Sequence, residues 1–280
     1  MRLAVLVVAL SPVLAPAGLA QDYRVTSSSR QRVAEPDVTV EVSFAVGRLQ
    51  MKPGPDDVLY RARLRYDADA FEPVMRYDAG SRRVRVGVEG RHGQSIDHDN
   101  PEQRLDVELS PTVPASVELH YGAGVADLEL GGLSLTRIDV KAGAAESVIR
   151  FSAPNRVTCE TLTFQVGAIN LQTEHLGNAG CRSIEFKGAA GDITLDFTGA
   201  WPENSTINAD LAIGLASLTL RLPESAGVSM NVDRFLASFD QSGLRKRGTR
   251  YYSANYDATS VKLDFRVSTA LGNIELEWVK

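Results

Sequence analysis

From Val38 to the end of the chain, apolar and polar residues alternate with a period of two, and stretches with the 3.6-residue period of an amphipathic helix are nearly absent. Successive side chains of a strand point to opposite faces, so a period of two marks half-buried strands. Gly, Asn and Asp punctuate the alternation where turns are needed. The pattern predicts an all-β protein.

The alternation also recurs as a unit: two apolar-x-apolar pairs with a Gly or Ala turn between them. The clearest copies pair Leu119/Tyr121 with Leu128/Leu130, Ile138/Val140 with Ile149/Phe151, Leu162/Phe164 with Ile169/Leu171, and Ile184/Phe186 with Ile193/Leu195. Looser copies are Leu211/Ile213 with Leu218/Leu220 and Phe265/Val267 with Ile274/Leu276, and an early outlier is Val42/Phe44 with Leu49/Met51. First pairs begin at residues 119, 138, 162 and 184, spacings of 19, 24 and 22 that suit one coil of a β-solenoid. One rung cannot bury its inward side chains alone. Rungs stacked about 4.8 Å apart pair every strand with the next and build a continuous aliphatic core.

Ahead of the repeats, residues 21–36 are polar and carry Ser27-Ser28-Ser29-Arg30-Gln31-Arg32, which predicts a flexible linker. Val58 to Val88 hold alternating segments separated by Asp-Ala-Asp and Asp-Ala-Gly-Ser turns, as in antiparallel hairpins. With Pro101, Pro111 and Pro114 marking a boundary, the expected organisation is a small antiparallel N-terminal β region over 37–111 and a β-solenoid of short strands, single-stranded β-helix-like, over 112–280.

Composition adds compartment. Of the 280 residues, 44% are hydrophobic and 23% charged, which fits neither a disordered chain nor a multispanning membrane protein. Met1 to Ala20 carries one cation, Arg2, then an apolar run, then small residues, as a secretory signal peptide does; cleavage is expected after Ala20 or, second, after Ala17. No Cys follows the cleavage site, so no lipid anchor is expected. Loss of Arg2 leaves 29 basic against 35 acidic residues, a net charge of −6 that gives no footprint for nucleic acid. No later window of about 18 apolar residues exists, so the mature chain is expected to have no transmembrane segment and to reside in a periplasm or outside the cell.

Gly122-Ala123-Gly124 through Leu128-Glu129-Leu130-Gly131-Gly132-Leu133 resembles the repeat unit of the bacterial toast-rack proteins, a family that includes LiaF/LiaG-like cell-envelope proteins and proposed adhesins. Phe151-Ser152-Ala153-Pro154-Asn155, Leu176-Gly177-Asn178-Ala179, Leu222 to Val228 and the closing Gly272 to Trp278 are similar too, so the resemblance covers residues 38 to 280. It implies an envelope protein with a toast-rack-like N-terminal region, a β-solenoid, and no catalytic residues to carry over.

Cys159 and Cys181 each lie three residues before the first strand of their rungs, at Leu162 and Ile184. Equivalent Cα atoms on neighbouring rungs stand about 4.8 Å apart, within disulfide range, and export supplies an oxidising compartment, so the pair is expected to be bridged. Two Cys alone cannot complete a four-ligand zinc site.

Other candidates compete with plainer readings. His92, Asp97, His98 and Asp99 are the densest set of potential metal ligands, but they sit in a polar loop before Pro101, and no metal is expected. His120 and His175 are isolated. Asp127, Asp192 and Asn273 precede second strands and could line one edge as a calcium-binding or acid-catalytic row, though Asp and Asn are ordinary turn residues. Gly122-Ala123-Gly124 and Gly188-Ala189-Ala190-Gly191 resemble phosphate loops but lead into no helix. Asn204-Ser205-Thr206 is a glycosylation sequon that matters only in a eukaryotic secretory pathway.

Arg245, Lys246, Arg247 and Arg250, followed by Tyr251, Tyr252 and Tyr256, form the best contact for a glycan or anionic polymer, since cations and aromatic faces suit acidic sugars. No Gly-x-Ser-x-Gly, His-Glu-x-x-His or Cys-x-x-Cys occurs. The expectation is a non-enzymatic, cofactor-free envelope scaffold that binds an envelope polymer or protein. An accessory or sensor factor in the envelope stress response and a carbohydrate-active β-helix are the alternatives.

Overall fold

The computed structural model describes residues 22–91 and 102–280. The signal segment and the His92–Asp99 cluster lie outside them. The strands in chain order are β1 (Tyr23–Gln31), β2 (Val38–Pro53), β3 (Val58–Asp67), β4 (Phe71–Asp78), β5 (Arg83–Gly90), β6 (Arg104–Leu109), β7 (Ala115–Glu129), β8 (Leu135–Arg150) and β9 (Cys159–Glu174). A single helical turn, α1 (Leu176–Ala179), precedes β10 (Cys181–Asp196), β11 (Thr206–Pro223), β12 (Gly227–Phe239), β13 (Leu244–Arg247), β14 (Arg250–Ser253) and β15 (Lys262–Val279). The protein is all-β, and the strands join one sheet.

The heart of that sheet is a parallel stack in the order β2-β7-β8-β9-β10-β11-β15-β12. The two apolar pairs of each repeat lie on one long strand that bends at its Gly or Ala, so the expected turn is a corner within the strand. Alternate residues of both arms are buried on the inner side: Val117, Leu119 and Tyr121 before the bend in β7, Ala126 and Leu128 after it. Val40, Val117, Ile138, Leu162, Ile184, Ala209, Phe265 and Met230 form one column of this core. Buried phenylalanines pack within it, with Phe164 and Phe186 5.9 Å apart and Phe197 edge-on to Phe265 at 4.8 Å.

Register departs from the simple reading by two residues at β8 and again at β11, where Ala209 rather than Leu211 lies opposite Ile184 and Phe265. Leu119 pairs with Val140, not Ile138, and Ile149 pairs with Thr173 while Ser147 lies opposite Leu171. A two-residue slip keeps every side chain on its face. It places the buried Ser147 inside the core, where its hydroxyl is 2.7 Å from that of Tyr121.

The corner is made by backbone resting on backbone. Gly124 has φ +114°, and a Cβ there would stand 2.1 Å from the Gly47 carbonyl oxygen; at Gly272, with φ +123°, it would stand 1.9 Å from that of Ala216. Neither conformation nor space admits a side chain.

At its N-terminal end the stack forks. The first half of β2 pairs in parallel with β5, which forms an antiparallel hairpin with β4. Its second half pairs with β6, followed by β3 and β1. Residues 23–31, expected as a flexible linker, are thus corrected to a paired edge strand: the polar run alternates sides, Ser28 bonds the Tyr60 hydroxyl at 2.7 Å, and Arg65 stacks over Tyr23. Polar alternation suits an edge that faces water on both sides. At the other end β15, last in sequence, inserts between β11 and β12.

Replacing Ile193 by Asp buries an unpaired carboxylate between Leu171 and Leu218, and should cost about 4 kcal/mol or more. Gly272→Ala should cost about 2 kcal/mol or more through its φ and the Ala216 carbonyl. Urea denaturation checks both; wild-type midpoints would contradict the assigned register and corner.

Candidate binding surface

Cys159 and Cys181 occupy matching positions of β9 and β10, with Cα atoms 4.2 Å apart, and are joined in a disulfide. Both are buried. The connections beside the bridge are ordered by two equivalent asparagines. The Asn155 amide reaches the Leu135 carbonyl and Asn178 the Phe151 carbonyl, while the Asn155 backbone N–H donates to the Asn178 carbonyl.

The cation–tyrosine segment forms the β13–β14 hairpin, with Arg245 opposite Tyr252, Lys246 opposite Tyr251 and Arg247 opposite Arg250. Directly opposed residues share a face and neighbours alternate. The hairpin therefore divides the predicted set. Lys246 and Tyr251 turn toward the end of the core, where Tyr251 packs edge-on against Phe239 at 5.2 Å. Arg245, Arg247, Arg250 and Tyr252 take the other face.

Tyr256 joins that second face, with its ring 5.0 Å from Tyr252. The Arg247 guanidinium lies 5.3 Å from the Tyr252 ring and the Lys262 ammonium 5.0 Å from Tyr256. Asp264 anchors the group by accepting from the Tyr256 hydroxyl at 2.9 Å and the Ser229 hydroxyl at 2.7 Å. Burial first, then this bond to a carboxylate, pushes the Tyr256 hydroxyl above the ordinary tyrosine range, so it stays a neutral donor. Asp257 pairs with Arg247 at 2.9 Å, whereas Arg245, Arg250 and Lys262 have no ion-pair partner among the described residues. The Arg250 Nε is buried without a hydrogen-bond partner. The result is a half-exposed aromatic pair framed by four cations. Lys262 and Asp264 escape a reading along the chain because they come from β15, and only the alternation Lys262-x-Asp264-x-Arg266 marks them as outward-facing.

The acid row does not assemble as a single line. Asp192, Ser217 and Asn273 share a column, and Ser217 bonds Asn273 at 2.7 Å, but Asp127 lies one outward position further along and pairs with Arg150 at 2.5 Å. No group of three metal-ligating side chains occurs among the described residues. His120 stands beside Lys141 on the outer face, and His175 takes a left-handed conformation ahead of α1. The two glycine motifs are strand corners.

A second polar surface runs along the other arm. Arg61, Glu108, Lys52, Glu129, Arg150 and Glu174 alternate in sign from strand to strand and line or flank a groove of about 510 Å³. Arg61 and Lys52 both reach Glu108, at 2.8 and 3.3 Å, and Arg150 lies 3.6 Å from Glu174. Each charge already has an opposite neighbour, so this groove holds less unpaired charge than the hairpin.

Sequence comparison decides the family. The model of the N-terminal domain of toast_rack, DUF2154, matches residues 20–172, more than half of the chain. The protein belongs to the toast-rack family. The toast-rack match runs past the 37–111 region through β7, β8 and most of β9. Among solved structures, this toast-rack chain is similar to a proposed cell adhesion protein from Clostridium sporogenes ATCC 15579, at 14% identity and TM-score 0.46 over 92% of this chain and 100% of that one. A proposed adhesin from Bacteroides fragilis NCTC 9343 is similar at 11% identity and TM-score 0.41, again over 92% and 100%. No curated protein matches. No helix among the described residues is long and apolar enough to cross a membrane.

The Cys159–Cys181 bridge closes a loop of sequence separation 22, so Cys159→Ser with Cys181→Ser should lower stability by about 3 kcal/mol. Alkylation of the native protein should label neither thiol until a reductant is added. Stoichiometric labelling without reductant would show the bridge absent in solution.

Proposed function

We propose that this toast-rack protein is an exported, non-catalytic scaffold of the cell envelope that adheres to an acidic envelope polymer through the outer face of its β13–β14 hairpin. One observation carries the reading: Tyr252 and Tyr256 offer ring faces beside Arg245, Arg247, Arg250 and Lys262, three of which lack a carboxylate partner among the described residues. Aromatic faces take the apolar faces of sugar rings, and guanidinium groups take carboxylates or phosphates in bidentate fashion. The disulfide and the signal-like first 20 residues support an extracytoplasmic setting.

The stack supplies what adhesion requires of a scaffold. It ties the hairpin to β12, and through Asp264 to β15, so the contact face is held by the end of a long sheet rather than by a free loop.

Residues 21–280 should bind polygalacturonate, a polymer of carboxylated sugars, and not neutral pullulan. Binding should weaken as salt rises, because exposed charges are screened. The variant with Arg245, Lys246, Arg247 and Arg250 all changed to Ser should bind roughly tenfold more weakly with an unchanged melting temperature, a loss of about 1.4 kcal/mol. Quantitative binding and differential scanning fluorimetry provide the readouts. Retention of wild-type affinity by the variant would move the polymer contact off this hairpin, and shortening of the polymer during the assay would mark a carbohydrate-active enzyme instead.

A further inference from the structure

The strand at the C-terminal end of the parallel stack, β12, pairs with β15 from Gly227 to Phe239 but carries β14 on its outer edge only at Ser229 and Met230. From Asn231 to Phe239 no strand lies beside that edge among the described residues. The Ala237 carbonyl there is met by the Arg234 side chain, at 2.9 Å, instead of by a backbone N–H. A strand edge with unpaired main-chain groups is a template for another strand.

Side chains at the same place break the repeat. The position two residues before the Gly124 and Gly272 corner is Gly or Ala on the strands before β12, as at Gly122, Gly143, Gly167, Gly214 and Ala270, and is Phe235 on β12, with 80% of its surface exposed. The next position is Ala123, Ala144, Ala168 and Ala190 through the middle rungs. On the last three strands it becomes Leu215, Leu271 and Leu236, which are 55%, 40% and 65% exposed. These four residues are the majority of the seven exposed large apolar side chains among the described residues. They form a stripe that runs across three strands and stops at the open edge, a concentration that marks an interaction site.

We propose that the β12 edge pairs with the same edge of a second copy of this chain, antiparallel about a two-fold axis at Phe235. The stripe ends at the edge, so a two-fold continues it with Leu236, Leu271 and Leu215 of the second copy, and one contact covers both the leucines and the main-chain groups. The edge carries one acid and one base, Asp233 and Arg234, and so meets itself without net like charge. With the two Phe235 residues opposed, Asp233 stands opposite Ala237 of the second copy, and the Ala237 carbonyl exchanges its Arg234 contact for a ladder bond.

Sedimentation equilibrium of residues 21–280 should give twice the monomer mass at about 200 µM, a concentration far above the Kd of an ordinary stable interface. Phe235→Asp combined with Leu236→Ser should give a monomer whose melting temperature matches that of the wild type at a concentration low enough for both to be monomeric, since both side chains are exposed in the single chain. Phe235→Cys should form a disulfide-linked dimer on mild oxidation, while Val25→Cys, exposed on β1 at the far end of the sheet, should not. A monomeric wild type at that concentration overturns the proposal. So does a wild type that co-sediments with phosphatidylglycerol vesicles as a monomer through Phe235, which would assign the stripe to a lipid surface.

Discussion

The stack depends on how closely one backbone can lie against the next at the strand corner. Parallel pairing repeats each strand almost unchanged, so any side chain aimed along the stacking direction meets the carbonyl of the rung before it. Gly124 and Gly272 show the limit, with no room for even one carbon between them and the oxygens of Gly47 and Ala216. Because the corner closes, both arms of every strand can turn alternate residues to one interior, and chains of aliphatic and aromatic contacts run the length of the sheet. The N-terminal fork and the C-terminal hairpin are ways of ending an object that has no internal reason to stop.

In-register stacking also imposes an electrostatic problem, since a repeated charged residue would face copies of itself about 4.8 Å away. The second-arm face answers it by alternation: Arg61, Glu108, Lys52, Glu129, Arg150 and Glu174 change sign from strand to strand, and Arg221 bridges Asp196 and Glu277 further on. Such partly exposed pairs contribute little each. Their value is in removing repulsion. The hairpin face departs from this arrangement: Arg245, Arg250 and Lys262 have no ion-pair partner among the described residues, and the proposed polymer contact rests on that difference.

Much of this architecture was readable along the chain because period two reports directly on which face a residue occupies. The core pairs Phe164/Leu171 and Phe186/Ile193, and the matched Cys159 and Cys181, follow from that alone. The same period is blind to slips of two residues, which explains why Ile138 was aligned with Leu119 although its partner is Val117. It is also blind to strands without an apolar face, so the Ser-rich residues 23–31 read as linker while their backbone pairs with β3. The binding candidate was half legible. Arginines and tyrosines were visible as a cluster, but their division between two faces needed the β13–β14 register, and Lys262 and Asp264 arrive from a distant strand.

The position of β15 has a consequence for how the molecule comes to be built. Rungs from β7 to β11 can be laid down in the order in which a ribosome delivers them, each docking on the one already in place. That order fails at β12, whose neighbour β15 is translated after it. Until Lys262–Val279 emerges, β11 offers a finished edge to which β12 is not the native mate, and the β12–β14 segment must wait unattached. The final strand then acts as a keystone: it pairs with β11 from Lys262 to Val279 and with β12 from Lys262 to Ile274, fixing two ladders in one step. Assembly of the C-terminal third is therefore expected to be cooperative and late, while the earlier rungs gain order one by one.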